Sequence, residues 1–128
     1  MTRVYVASRL DNYKTVQLFQ DRLRQHGFQI TLDWAAVHQR ELEGDVAAEP
    51  PTFNQQMIDA VRTADAVLFL TPGGRGAHVE LGVALGANIP VFLYLHSEVK
   101  NICFYDLVFY HTSVSPEDAL SKLISYKG

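Results

Sequence analysis

AVLFLTPGGRGAHVELGVALGANIPVFLYL, residues 66–95, decides the architecture of this 128-residue chain. Ala66 to Leu70 and Val91 to Leu95 are continuous apolar runs, the pattern of parallel strands covered on both faces. Between them lie a glycine-rich turn, Thr71 to Gly76, and a helical stretch from Ala77 to Ala87 in which only His78 and Glu80 are polar. Strand, helix and strand in this order form a βαβ unit, whose crossover is right-handed. A helix apolar on every side is expected to be buried all round. A carboxylate inside it needs a partner or a task.

Working outward, Arg3 to Ala7 reads as a short strand followed by a polar turn, Ser8 to Asn12. Val16, Phe19 and Leu23 recur at helical spacing, and Gly27 ends that helix. Phe28, Ile30 and Leu32 alternate with Gln29, Thr31 and Asp33, a strand with one wetter face. Phe53, Met57, Ala60, Val61 and Ala64 mark a second amphipathic helix, with Thr52 in the capping position. Leu107 to Tyr110 is a weaker fifth strand, and Ser115-Pro-Glu-Asp118 opens a final helix with Leu120, Leu123 and Ile124 as its stripe.

Two segments exceed a minimal fold. Ala35 to Pro51 is acidic and loop-like, and it reads as a lid or flap. His96 to Asp106 carries Phe104 and Tyr105, aromatics that suit either a subunit interface or a local satellite of the core.

The sum is one domain over residues 1–128, an α/β fold of three αβα layers around a five-stranded parallel sheet. The flavodoxin-like strand order 2-1-3-4-5 is expected. Its direction reverses beside strand 1, and ligands bind beyond the strand ends at such a switch point. Ser8 and Arg9 are therefore expected to face Thr71 to Arg75.

Composition narrows the function classes. The chain is 48% hydrophobic and 20% charged, an ordinary globular balance, and its net charge of −3 supplies no basic footprint for nucleic acid or an anionic membrane. Glu80, Asn88 and Pro90 interrupt the longest apolar stretch, Val79 to Leu95, which excludes a transmembrane helix. One cysteine, Cys103, cannot form an internal disulfide and has no activating partner in sequence. With no signal-peptide pattern at the start, a cytoplasmic location is expected. Histidines 26, 38, 78, 96 and 111 lack metal-ligand spacing, so neither a metal nor another cofactor is expected.

The candidate site gathers at the switch point. Gly73, Gly74, Arg75 and Gly76 offer backbone N–H groups and a guanidinium to an anion or polar ligand. They lack the Lys-Ser/Thr of a P-loop and the dinucleotide spacing, and a plain strand-to-helix link is the competing reading. Glu80 suits a ligand, a nucleophile, a general base or one half of an ion pair with Arg75 or Arg9. Placed in the first helical turn, it is expected to keep a low pKa, which favours the nucleophile. Tyr5 projects from strand 1, either into the site or as a core aromatic with a satisfied hydroxyl, with Ser8 and Arg9 just beyond. Asp33 and Trp34, at the end of strand 2, either hold a flat base or cap the strand.

Val4-Tyr-Val-Ala-Ser8, Ala64-Asp-Ala-Val-Leu-Phe-Leu70, Gly74-Arg-Gly-Ala-His-Val-Glu-Leu-Gly82 and Gly86-Ala-Asn-Ile-Pro-Val91 resemble the nucleoside 2-deoxyribosyltransferase superfamily. That group includes deoxynucleoside 5′-monophosphate N-glycosidases and CMP-type hydrolases. The resemblance runs from strand 1 to about Leu95, and the Arg-x-Ala-His-x-Glu form is similar to a poorly characterised branch. It implies that Glu80 attacks C1′ of the sugar, that Tyr5 positions Glu80, and that the glycine turn lies where a 5′-phosphate is held. It also implies a nucleoside or nucleotide as the small-molecule partner and a homo-oligomeric assembly. The chain departs from the pattern at two places: Met57 stands where the family carries a helix aspartate, with Gln56 and Asp59 nearby, and Gly74 stands where it carries aspartate or serine. Asp33 and Asp59 are the candidates to replace the missing acid. Two other readings remain beside the enzyme, a non-catalytic nucleotide-binding or sensing module and an NAD glycohydrolase.

Overall fold

The apolar runs form the middle of a five-stranded, wholly parallel sheet of order β2-β1-β3-β4-β5. The computed structural model describes residues 2–99 and 104–126. The strands are β1 (Arg3–Ser8), β2 (Gln29–Ile30), β3 (Ala66–Leu70), β4 (Val91–Tyr94) and β5 (Tyr110–Thr112). The helices are α1 (Tyr13–Gln25), α2 (Trp34–Leu42), α3 (Phe53–Arg62), α4 (Arg75–Gly86) and α5 (Pro116–Tyr126), with short 3-10 turns at Leu10–Asn12 and Tyr105–Leu107. The expected strand order is the observed one.

Helices cover both faces, so every residue of β3 is buried. Right-handed crossovers place α1 and α5 on one side and α3 and α4 on the other. The contacts agree: α1 packs on β1 and β2, α5 on β3 to β5, and α3 on α4. Two parallel pairings fix the centre, β1 with β3 from Val4↔Ala66 to Ser8↔Leu70, and β3 with β4 from Val67↔Val91 to Leu70↔Tyr94.

Local signals explain the helix ends. Gly27 takes a left-handed φ of 84° beyond α1, a conformation with no steric cost for glycine. Ser115 Oγ accepts from the Asp118 backbone N–H at 3.1 Å and caps α5. Thr52 occupies the position before α3 without capping it, and its hydroxyl instead accepts from Gln56 Nε2 at 3.1 Å.

Four expectations are corrected. The segment expected as a loop from Ala35 is helical as far as Leu42, because Asp33 caps the turn and Trp34 and Ala35 are buried. The dense run of charge after Val37 masked that helix in the sequence. Ladder pairing in the second strand covers only Gln29 and Ile30, as an edge strand allows, although Ile30 and Leu32 still pack on the core. The fifth strand lies at Tyr110–Thr112, and Tyr105–Leu107 ahead of it is a 3-10 turn. Helix α4 is not buried all round: Val79 is 58% exposed, and Gly82 and Gly86 are also on the outside. The two aromatics of the long connection separate, Tyr105 joining the core and Phe104 standing in solvent. Cys103 lies outside the described residues.

Gln20 of α1 is fully buried, and neither amide atom has a hydrogen-bond partner among the described residues. An unsatisfied buried polar group costs about 1–3 kcal/mol. Gln20→Met, similar in length and without the amide, is expected to raise unfolding stability by about 1–2 kcal/mol in a urea titration.

Candidate active site

Because β1 and β3 run in parallel register, their carboxyl ends finish side by side. The connection after β3 folds over the end of β1 and is tied there by backbone: Arg9 N–H donates to Pro72 O at 3.0 Å. Ser8 Oγ donates to Leu70 O at 2.7 Å and accepts from Asn12 Nδ2 at 2.9 Å. Thr71 anchors the other side. Its Oγ1 donates to Tyr94 O at 2.6 Å and accepts from His96 N–H at 2.7 Å. The strand end and the start of the glycine turn are thus knitted to both neighbouring strands.

The turn has a further brace. His78 Nδ1 lies 2.8 Å from Gly74 O, and a carbonyl only accepts, so Nδ1 donates. Nε2 meets the Tyr105 hydroxyl at 2.8 Å, and the two rings stack with centroids 5.9 Å apart. Gly73 lies beneath: a Cβ there would sit 2.5 Å from the Phe69 ring, so only glycine fits.

A cleft of about 260 Å³ opens at this point, lined by Tyr5, Ser8, Arg9, Leu10, Trp34, Met57, Gly74, Arg75, Gly76, Ala77 and Glu80. At its floor the Tyr5 hydroxyl donates to Glu80 Oε2 at 2.5 Å. Tyr5 is fully buried and Glu80 is 7% exposed. Burial pushes the Glu80 carboxyl up to about 7, against the opposing pull of the Tyr5 hydrogen bond. Tyr5 itself is raised well above the ordinary phenol value, first by burial and then by the Glu80 charge. The expected low pKa of Glu80 is therefore corrected. Since α4 begins at Arg75, Glu80 lies in the second helical turn, where the terminal dipole is weak and desolvation wins.

The other candidates divide. Tyr5, Ser8, Arg9, Trp34, Gly74, Arg75, Gly76 and Glu80 come together; Gly73 and Asp33 do not line the cleft. Asp33 caps α2 by accepting from Ala36 N–H at 3.0 Å and pairs with Arg24 at 2.9 Å. Trp34 donates Nε1–H to Val6 O at 2.7 Å, which pins its ring in the cleft wall. Arg9 pairs with Asp11 at 2.7 Å rather than with Glu80, which has no salt-bridge partner among the described residues. Asp59 engages Gln55 and Arg62 and stays out of the cleft. Leu10 and Ala77 line the cleft unforeseen, although both directly adjoin residues placed there from the sequence. The His78 brace was invisible because Tyr105 is distant in the chain. No group of three or more potential metal ligands exists among the described residues.

A hollow of about 620 Å³ runs along another face of α4, between Gly82, Gly86, Phe104 and Leu107. Its lining among the described residues is mostly apolar and includes no carboxylate, unlike that of the smaller cleft.

The model of the nucleoside 2-deoxyribosyltransferase family matches residues 4–110. The chain belongs to that family. The matched span of this nucleoside 2-deoxyribosyltransferase family member contains every lining residue of the cleft. Among solved structures, CMP N-glycosidase BcmB from Clostridium botulinum is similar at a TM-score of 0.64 and 18% identity, over 98% of this chain and 100% of that one. At this identity the likeness is one of fold. No curated protein matches by sequence.

The raised carboxyl has a thermodynamic signature. With a folded pKa of about 7 against an ordinary 4.5, the native state binds the extra proton and loses stability as pH climbs between those values. Glu80→Gln removes that loss. The variant is expected to gain stability relative to wild type by up to about 3 kcal/mol between pH 5 and pH 8, read by denaturant melts at both.

Proposed function

We propose that this chain cleaves or transfers the N-glycosidic bond of a nucleoside, a deoxynucleoside or a 5′-monophosphate, with Glu80 as nucleophile. The carrying observation is the Tyr5–Glu80 pair at the cleft floor, a buried carboxylate held by one hydrogen bond in a chain of this family. The ionised Oε atom attacks C1′ as the C1′–N bond breaks and its electron pair leaves with the base. The product is a glycosyl ester on Glu80. Water resolves it to the free sugar in a hydrolase, or a second base resolves it to a new nucleoside in a transferase. The tyrosine hydroxyl fixes the carboxylate and draws its pKa down towards a usable range.

The polar rim supports a nucleotide-like ligand. Arg9, Arg75 and the first turn of α4 present positive charge and N–H groups to a phosphate or sugar, and Trp34 and Met57 provide apolar surface for a base.

Free base released from a panel of nucleosides and 5′-monophosphates, followed by chromatography, tests the reading. Glu80→Gln is expected to lower kcat by at least about 1,000-fold, consistent with loss of a nucleophile. Tight ligand binding without base release by the wild-type chain overturns the enzyme reading in favour of a binding module. For an active substrate, kcat/KM is expected to rise with pH through about 7 as Glu80 ionises. Tyr5→Phe removes the bond that favours the charged form, so its rising limb is expected to move upward by about one pH unit.

A further inference from the structure

We propose that the preferred substrate is a nucleotide whose base already carries a positive charge, of the pyridinium or N-alkylated purine type. This rests on the glycosidic reading above and narrows it to a substrate class.

The first argument is the absence of a proton donor for the leaving base. A neutral base departs as an anion unless it is protonated, and a positioned acid is worth about 10²–10⁴ in rate. Among the described residues that line the cleft, transferable protons belong to Glu80, Tyr5, Ser8 and two guanidinium groups. Glu80 acts as the nucleophile. The Tyr5 hydroxyl is committed to Glu80, and burial holds its proton tightly. The Ser8 proton is directed at Leu70 O. A guanidinium group, as on Arg9 and Arg75, does not serve as a proton donor to a leaving group in proteins. Trp34 and Met57 also line the cleft, and neither Asp33 nor Asp59 does. A cationic base avoids the difficulty: the electron pair from the broken C1′–N bond neutralises the ring, and no proton is required.

The second argument is the direction of charge. Beyond Trp34, Met57 and Leu10, which line both spaces, the cleft adjoins a hollow of about 350 Å³ lined also by His38, Glu41 and Glu49. Arg9 and Arg75 line the cleft and not that hollow. His38 faces Glu41 across 4.0 Å, and among these groups only the glutamates carry negative charge. A nucleotide with an anionic phosphate and a cationic base has the matching polarity.

The steps balance. The C1′–N bond breaks as the bond from Glu80 Oε to C1′ forms, and the base leaves neutral. Water oxygen then bonds to C1′, the ester bond breaks to restore the carboxylate, and the proton from water passes to solvent. Each hydrolytic turnover of a cationic substrate therefore releases one proton.

The full chain is assayed for base release with 7-methylguanosine 5′-monophosphate and GMP, near-identical in size and different in charge, at about pH 6.5. Nicotinamide mononucleotide, whose pyridinium charge is fixed, is then assayed from about pH 5.5 to 9. The expected result is a preference of at least about 100-fold in kcat/KM for the methylated purine. The nicotinamide profile is expected to rise through about 7 and then stay level, since Glu80 alone titrates into its active form. Equal or better cleavage of GMP overturns the proposal and leaves the glycosidic reading standing. A bell-shaped nicotinamide profile does the same, because it reveals a working acid such as His38. Absence of base release from every cationic and neutral nucleotide, nucleoside and deoxynucleoside overturns both.

Discussion

The pairing of β1 with β3 is the constraint on which the site depends. Five consecutive parallel partners bring Ser8 level with Leu70 and place Tyr5 beside Val67, three residues inside the same strand. Since β3 leads into the glycine turn and α4, that register also sets how far Glu80 stands from Tyr5. A parallel strand has a side-chain period of two, so a slip of one residue would turn Tyr5 to the other face of the sheet. The site is therefore specified by the best-buried part of the molecule, and its short polar contacts are the visible end of a hydrophobic constraint.

Electrostatics at the cleft follow from the same burial. A carboxylate in water has no reason to titrate near neutrality, and Glu80 does so because the sheet and α4 exclude solvent from it. The hydrogen bond from Tyr5 offsets only part of that cost. Outside the floor the charges are exposed, with Arg9 half out in solvent beside Asp11. Such groups steer and select ligands more than they stabilise the fold.

What was legible in the chain tracks the range of the interactions involved. The uninterrupted runs at Ala66–Leu70 and Val91–Leu95 announced a sandwiched parallel sheet, and the reversal beside β1 brought Ser8, Arg9 and the glycine turn together. Tyr5 and Glu80, distant in the chain, meet in the same cleft. Asp33 misled because a carboxylate at a strand end has the same sequence appearance whether it faces a ligand or caps the next helix. Helix α2 was hidden for a related reason: its buried side rests on Trp34 and Ala35, too short a stripe to rise above the charged residues that follow. The pKa of Glu80 depended on where α4 begins, a matter of two residues, and on solvent exclusion by elements remote in sequence.

The ties from His78 to Gly74 and Tyr105, and from Thr71 to Tyr94 and His96, bear on the thermodynamics of ligand capture. A glycine-rich segment has more backbone freedom to lose than any other, and an untethered one would surrender that entropy at each encounter. Here the loss is borne once, during folding. Under the proposed function, the incoming molecule meets a turn already in shape, and more of its contact energy remains for distorting the bond to be broken.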